Sequence, residues 1–349
     1  MSSPRENLLA EAAKRILLTD GAFGTEIQNW KLAEADYAGS LGLSHDQKGN
    51  NDILAITKPE VPETITRAYL EAGSDIVSTN TFSANVISQA DYGAEHLVRD
   101  INVESAKIAR RLADEYTAQD GRPRFVAGAI GPTNKTLSLS PDVNDPGYRE
   151  IDFDYLKTVY REQTEALVEG GVDFILIETV FDTLNAKAGV MAVLEAQAAL
   201  GRDLPIMMSM TLTDLSGRNL SGHTVEAFWH AVRHARPLTI GLNCSFGAQQ
   251  LRPHVRTLSD IADTLIMVYP NAGLPNELGA YDEMPDTTAG LVREWAEHGQ
   301  VNILGGCCGS TPAHIQAIAD AVRDLPPRKI ATPEVRTRLA GLEPFTMVA

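Results

Sequence analysis

Short apolar runs recur along the chain, each followed by a segment with helical spacing. They are Ile16–Gly21, Asp75–Phe82, Arg124–Pro132, Phe174–Val180, Pro205–Leu212, Thr239–Ser245, Thr264–Gly273 and Val301–Gly309. Their hydrophobic residues are continuous rather than alternating, as expected of parallel strands buried on both faces. Between them, Val61, Ile65, Ala68, Tyr69 and Ala72 form one helical stripe, opened by Pro59 and Pro62. Ile101, Ser105, Ile108, Leu112 and Tyr116 form another, and Thr311-Pro312 reads as an N-cap followed by a proline at the first helical position. Strand then helix, eight times over, predicts an α/β chain folded as a (β/α)8 TIM barrel. A doubly wound open sheet fits less well, because the turn after the first run, DGAFGT, is not the glycine fingerprint of a dinucleotide site. Two long loops, Gln28–Asp52 and Thr133–Asp152, follow the first and third strands. They are expected at the strands' C-terminal ends, where barrel enzymes keep their sites. The pattern stops at Pro326-Pro327, so residues 1–328 read as the barrel and 329–349 as a short extended tail.

Composition narrows the class. A chain of 349 residues, 44% hydrophobic and 22% charged, is an ordinary globular protein and neither disordered nor fibrous. The formal net charge of −16 argues against general binding to nucleic acid or anionic membranes, which calls for a basic face. No run approaches the roughly 20 apolar residues of a membrane span. The first residues, MSSPRENLLAEAAKR, hold no apolar stretch of signal-peptide length, and a cytoplasmic protein is expected.

Only three cysteines occur, Cys244, Cys307 and Cys308. An odd count this low is no disulfide framework. Cys244 ends the sixth run, and Cys307 and Cys308 end the eighth, so a closed barrel places all three on one rim. Three thiolates are a soft set suited to Zn²⁺, and three protein ligands with a fourth position open is the catalytic pattern. Adjacent cysteines on a strand face opposite ways, so the strand must stop between them. Gly305, Gly306 and Gly309 permit such a turn. The competing reading is three buried small hydrophobes.

Asp20 and Glu178 end the first and fourth runs on the same rim. A carboxylate pair there suits an ammonium group or acid–base work; otherwise Asp20 belongs to a turn and Glu178 to a helix start. The backbone amides of the Gly21-Ala22-Phe23 turn are candidate donors to a carboxylate. Asn271, between the two cysteine-bearing strands, is a metal or substrate ligand or a turn residue before Gly273. His230 and His234 lack the glutamate of a metalloprotease motif and read as helix surface.

The motifs GLNC (241–244), GGCCGSTP (305–312) and DGAFGTE (20–26) resemble those of homocysteine S-methyltransferase domains. Within that family, KGNNDIL, GPTNKTLSLSPDVNDP, LIETVFDTLNAKA, MVYPNAG and LPNELGAYD resemble most the N-terminal homocysteine-binding module of cobalamin-dependent methionine synthase. The resemblance runs from about Leu17 to Arg328. It implies a (β/α)8 barrel with zinc on Cys244, Cys307 and Cys308, and Asp20 and Glu178 on the ammonium of homocysteine. It also implies that Gly21-Ala22-Phe23 lies near the substrate carboxylate, and that Asn271 fills the open zinc position before substrate arrives. The homocysteine sulfur would then attack a methyl group, giving methionine. No cobalamin Asp-x-His-x-x-Gly signature occurs, and the tail RTRLAGLEP resembles a linker. The chain then reads either as a piece cut from a longer enzyme or as one subunit of a split enzyme; the expectation is the split form, with methylcobalamin supplied by a transient cobalamin- and folate-binding partner subunit. A methyltransferase using S-methylmethionine or betaine, and a non-enzymatic zinc or thiol sensor, are the rival expectations.

Overall fold

The computed structural model describes residues 3–348. Eight parallel strands form one sheet: β1 (Leu17–Leu18), β2 (Ile76–Ser78), β3 (Phe125–Ile130), β4 (Phe174–Val180), β5 (Ile206–Met210), β6 (Thr239–Gly247), β7 (Leu265–Asn271) and β8 (Ile303–Leu304). Each predicted run holds one of them, except that β6 continues two residues past its run, to Gly247. The order is sequential, and β1 pairs with β8 through Leu17↔Ile303 and Leu18↔Leu304. The seam between β1 and β2 is closed by a single bridge, Thr19↔Ile76. Asp75 reinforces it: its backbone N–H donates to Leu18 O at 2.7 Å, and its carboxylate accepts from Leu18 N at 2.9 Å and from Arg15 at 2.8 Å. The result is a (β/α)8 barrel.

Its interior is filled by inward-facing residues of successive strands, among them Leu17, Ile76, Phe125, Phe174, Leu176, Met207, Met267 and Ile303. Leu8 and Ala12 of the helix Pro4–Ala12 join the same cluster. The outer helices bury the other faces; the stripe read at Val61 lies on Glu60–Glu71, and that at Ile101 on Val98–Asp120. Thr311 is the N-cap of Pro312–Val322, as the sequence indicates.

Three features differ from expectation. The loop read as Gln28–Asp52 begins inside the helix Phe23–Asn29 and carries a second helix, Glu34–Ala38. The tail is not simply extended: β9 (Arg338–Ala340) and β10 (Pro344–Thr346) pair as an antiparallel hairpin. That hairpin docks on the barrel, where Thr224 N donates to Leu342 O at 3.1 Å and Arg218 pairs with Glu343. His230 consequently is not surface. β9 packs on its helix, Val225–Val232, and the His230 side chain is 2% exposed beside Glu226, while His234 lies in the turn beyond.

The hairpin is preceded by an anchor. Arg328, 4% exposed, donates to Ser259 O, Ala262 O and Thr264 O at 2.7, 2.6 and 2.9 Å. Its own carbonyl accepts from Asn302 Nδ2 at 2.8 Å. Arg328→Ala strands several carbonyls and is expected to cost roughly 2–3 kcal/mol of stability, read as a lower urea midpoint with an unchanged slope.

Candidate metal and amino-acid site

The three cysteine sulfurs lie within 4.8 Å of one another at the mouth of the barrel, with Cys244 Sγ and Cys308 Sγ 3.8 Å apart. Backbone departures from strand geometry bring them together. On a regular strand Asn243 and Cys244 face opposite sides. Here Cys244 and Ser245 both take left-handed backbone, φ 60° and 59°, where the β6–β7 register shifts between Asn243 and Gly247. Such conformations cost about 1–3 kcal/mol each and persist where the surroundings enforce them. β8 ends at Leu304, and the chain turns so that Ser310 N donates to Cys307 O at 3.0 Å. Two bonds to β7 and the residue that follows it hold the cysteine pair: Cys307 N to Pro270 O at 2.8 Å, and Ala272 N to Cys308 O at 2.9 Å. Glycine is required at 309, where φ is +80° and an added Cβ would lie 2.3 Å from Tyr281 Cβ.

The sulfur chemistry is coupled. Cys308 accepts hydrogen bonds from Cys244 and Cys307, which pull its thiol down to about 3. Cys307 is pushed well up, first by its hydrogen bonds to Cys244 and Cys308, then by burial. Three sulfurs this close, one of them ionising readily, make a cradle for a soft cation. Sulfurs bound at about 2.3 Å to a tetrahedral Zn²⁺ stand about 3.8 Å apart, which is the Cys244–Cys308 separation. Asn271 adds a further donor. Its residue is 1% exposed, its Nδ2 donates to Tyr281 OH at 3.4 Å, and its Oδ1 is buried with no hydrogen-bond partner. A buried orphan carbonyl oxygen is costly unless something binds it.

The carboxylates converge on the same mouth. Asp20 is buried, and its Oδ2 accepts from Ser78 N and Ser78 Oγ at 2.7 and 2.8 Å. Burial nevertheless lifts it to about 6. Glu178 is lifted further, to about 8, by burial, with Asp20 and Cys244 adding repulsion and the hydroxyl of Tyr269, donating at 3.0 Å, opposing it. Glu178 does not start the next helix; Asp182 does, accepting from Leu184 N and Asn185 N. Two buried carboxyls whose ionisation is penalised by desolvation gain from a cationic guest, which favours their charged forms. Gly21-Ala22-Phe23 turns into the helix Phe23–Asn29, and Ala22 N–H lies 3.4 Å from Ser310 Oγ.

Sequence reasoning missed the residues that support these groups. Ser78, Tyr269, Ser209 and Asn243 all face inward at the level of Glu178. The signal was strand parity: Glu178 is two residues beyond inward-facing Leu176, Ser209 two beyond Met207, and Tyr269 two beyond Met267.

The metallated, oxidized and apo forms of the homocysteine methyltransferase MmuM from Escherichia coli superpose with TM-scores of 0.70, 0.71 and 0.65. Sequence identities are 22%, 21% and 21%, over 91% of this chain and at least 99% of theirs, so the likeness is one of fold. The profile of the family described as homocysteine S-methyltransferase matches residues 17–322, from β1 through the helix after β8. By that match, which includes all three cysteines and both carboxylates, the chain belongs to the homocysteine S-methyltransferase family.

Proposed function

We propose that this chain methylates the sulfur of homocysteine to give methionine, with zinc held by Cys244, Cys307 and Cys308. The observation that carries the reading is the convergence on one barrel mouth of three sulfurs, two desolvated carboxyls and the unpartnered Asn271 Oδ1. In the proposed arrangement Glu178 and Asp20 hold the substrate ammonium, and the Gly21-Ala22-Phe23 turn lies against its carboxylate. Asn271 Oδ1 would be the residue able to fill the fourth position of a metal held by the three sulfurs in the absence of substrate. Zinc, when bound, supplies the positive charge that keeps the substrate thiol ionised at neutral pH. The chain's own part is orientation, with the amino-acid end fixed so that the sulfur faces the open rim.

The methyl donor in this reading is methylcobalamin, presented by a cobalamin- and folate-binding partner in a transient encounter. Support comes from the resemblance of the rim segments to the methionine synthase module. It also comes from apolar side chains exposed on the strand-to-helix loops: Phe82, Leu139, Val143, Tyr148, Leu274 and Leu278. Residues 1–328 are the substrate-binding unit and 329–349 a linker-like extension. No helix among the described residues is long and apolar enough to cross a membrane.

Calorimetry of the zinc-loaded protein tests the substrate assignment. Glu178→Gln and Asp20→Asn are each expected to weaken homocysteine binding about ten- to a hundredfold, the loss of a charge-assisted hydrogen bond worth roughly 1.5–3 kcal/mol. Zinc content should not change. Glu178, with its pKa raised to about 8, is largely protonated at pH 7, and an ammonium guest ionises it. Affinity therefore climbs with pH, the Glu178 contribution levelling off above about 8 and that of the substrate thiol above its own pKa near 8.5. At pH 7 wild-type binding should release about two protons, one from the thiol and one from Glu178, and Glu178→Gln about one. Equal affinities and equal proton release in both carboxylate variants and the wild type would remove these residues from the site.

A further inference from the structure

Asn243 ends the regular part of β6, directly before Cys244, and is fully buried. Both faces of its amide are engaged. Oδ1 accepts from Thr179 N–H at 3.1 Å and from the Ser209 hydroxyl at 2.7 Å. Nδ2 donates to Thr179 Oγ1 at 2.8 Å and to Cys307 Sγ at 3.8 Å. The amide's two donors and two acceptor positions are thereby all used. Flipping the amide would set its NH₂ against the Thr179 N–H, donor to donor, so the partners dictate the orientation.

The partners sit on different strands. Ser209 is on β5, Cys307 follows β8, and Thr179 is on β4 directly after Glu178. Thr179 takes φ 55°, a conformation a β-branched residue rarely adopts, and the β4–β5 register shifts between Ile177 and Val180. Asn243 holds both the N–H and the hydroxyl of this strained residue. The backbone reversal at Thr179 sets where the neighbouring Glu178 carboxyl points. The same side chain touches a cysteine sulfur on the far side of the mouth.

We infer that Asn243 is a positioning residue that fixes the Cys307 sulfur and the Glu178-bearing turn relative to each other, setting the spacing between the metal end and the ammonium end of the site. The inference rests on the homocysteine reading above. Donation from Nδ2 also draws electron density from the Cys307 sulfur, so a metal bound there keeps more affinity for a fourth ligand. An amide kept only to satisfy the core would affect stability and leave both ends of the site as they are.

The test compares wild type, Asn243→Ala and Glu178→Gln by three measurements. These are zinc affinity by chelator competition, homocysteine affinity of the zinc-loaded protein by calorimetry, and the thiolate-to-metal absorption band of the Co²⁺-substituted protein without homocysteine. Asn243→Ala is expected to weaken zinc and homocysteine binding about tenfold each, and to move the cobalt band to longer wavelength as the sulfur loses its hydrogen bond. Glu178→Gln should weaken homocysteine binding alone. Where Asn243→Ala does not fold, Ser209→Ala, which removes one donor to Oδ1 without touching a cysteine, should shift the band the same way by less and weaken homocysteine binding a few-fold. Unchanged affinities and an unmoved band in the variant that folds, beside a wild type that binds homocysteine, overturn this inference alone. A wild type that takes up zinc and no homocysteine overturns the functional reading and this inference with it.

Discussion

Alanine at Cys307 or Cys308 is expected to remove the metal and methyl transfer together while leaving a folded barrel. Bound zinc should fall from about one per chain to a small fraction, because two thiolates and an amide oxygen make a far weaker site than three thiolates. Methyl transfer should drop by at least about a thousandfold, since a free thiol near pKa 8.5 is mostly protonated at neutral pH and no longer held at the rim. Fold should survive. The barrel interior is built of Leu, Ile, Phe and Met side chains, and Cys307 only packs at its edge. This differs from a zinc finger, where the metal is the core. Metal analysis, circular dichroism and a methionine assay on the same preparations decide the matter. Stoichiometric zinc in a Cys244, Cys307 and Cys308 triple variant would refute the ligand set.

The methyl donor produces the second large effect. Supplied with homocysteine and methyltetrahydrofolate alone, the purified chain should make almost no methionine. Adding a cobalamin-loaded, folate-binding subunit should raise turnover by orders of magnitude, with free methylcobalamin supporting a slow reaction at high concentration. In-line attack needs the methyl carbon within about 3–3.5 Å of the sulfur, so in the proposed reaction the corrinoid would approach the rim that carries the cysteines. It must also leave to be remethylated, which a large permanent interface would obstruct. The exposed Val143 and Leu278 are suited to brief apolar contact, and charged substitutions there should slow the two-chain reaction without altering homocysteine affinity. Rapid turnover with S-methylmethionine or betaine and no cobalamin would replace this donor assignment. Rapid turnover with methyltetrahydrofolate and no cobalamin would remove the split-enzyme reading.

The barrel was legible because parallel strands buried on both faces leave an unbroken apolar signature, repeated once per strand. The cysteine turn was legible for a stereochemical reason, since adjacent Cys307 and Cys308 cannot share a site on a continuous strand, and the glycines around them supply the break. The supporting residues were harder. Tyr269 and Asn243 lie within the motifs MVYPNAG and GLNC, yet a tyrosine and an asparagine at strand ends have many uses. Only the three-dimensional pairing with Glu178, Thr179 and Cys307 distinguishes this one. Burial of His230 was out of reach, because what covers it is a hairpin formed by the last residues, whose exposed Leu339 and Phe345 give no local sign of docking.

The pairing of β1 with β8 has a consequence for the order of events during synthesis. Leu17 meets Ile303, and Gly306 N donates to Asp20 O at 3.2 Å, so the first and last strands complete each other across nearly the whole chain. Contacts this distant in sequence form late, after the entropy of closing the intervening chain has been met. A polypeptide still emerging from the ribosome presents Cys244 without either of its partners, and Asp20 without the Gly306 N–H that holds its backbone carbonyl. Until the eighth strand arrives, Cys244 is a lone thiol open to oxidants and stray metals, and Asp20 and Glu178 line a ring that is still open. Competence therefore arrives in one step, with closure of the ring.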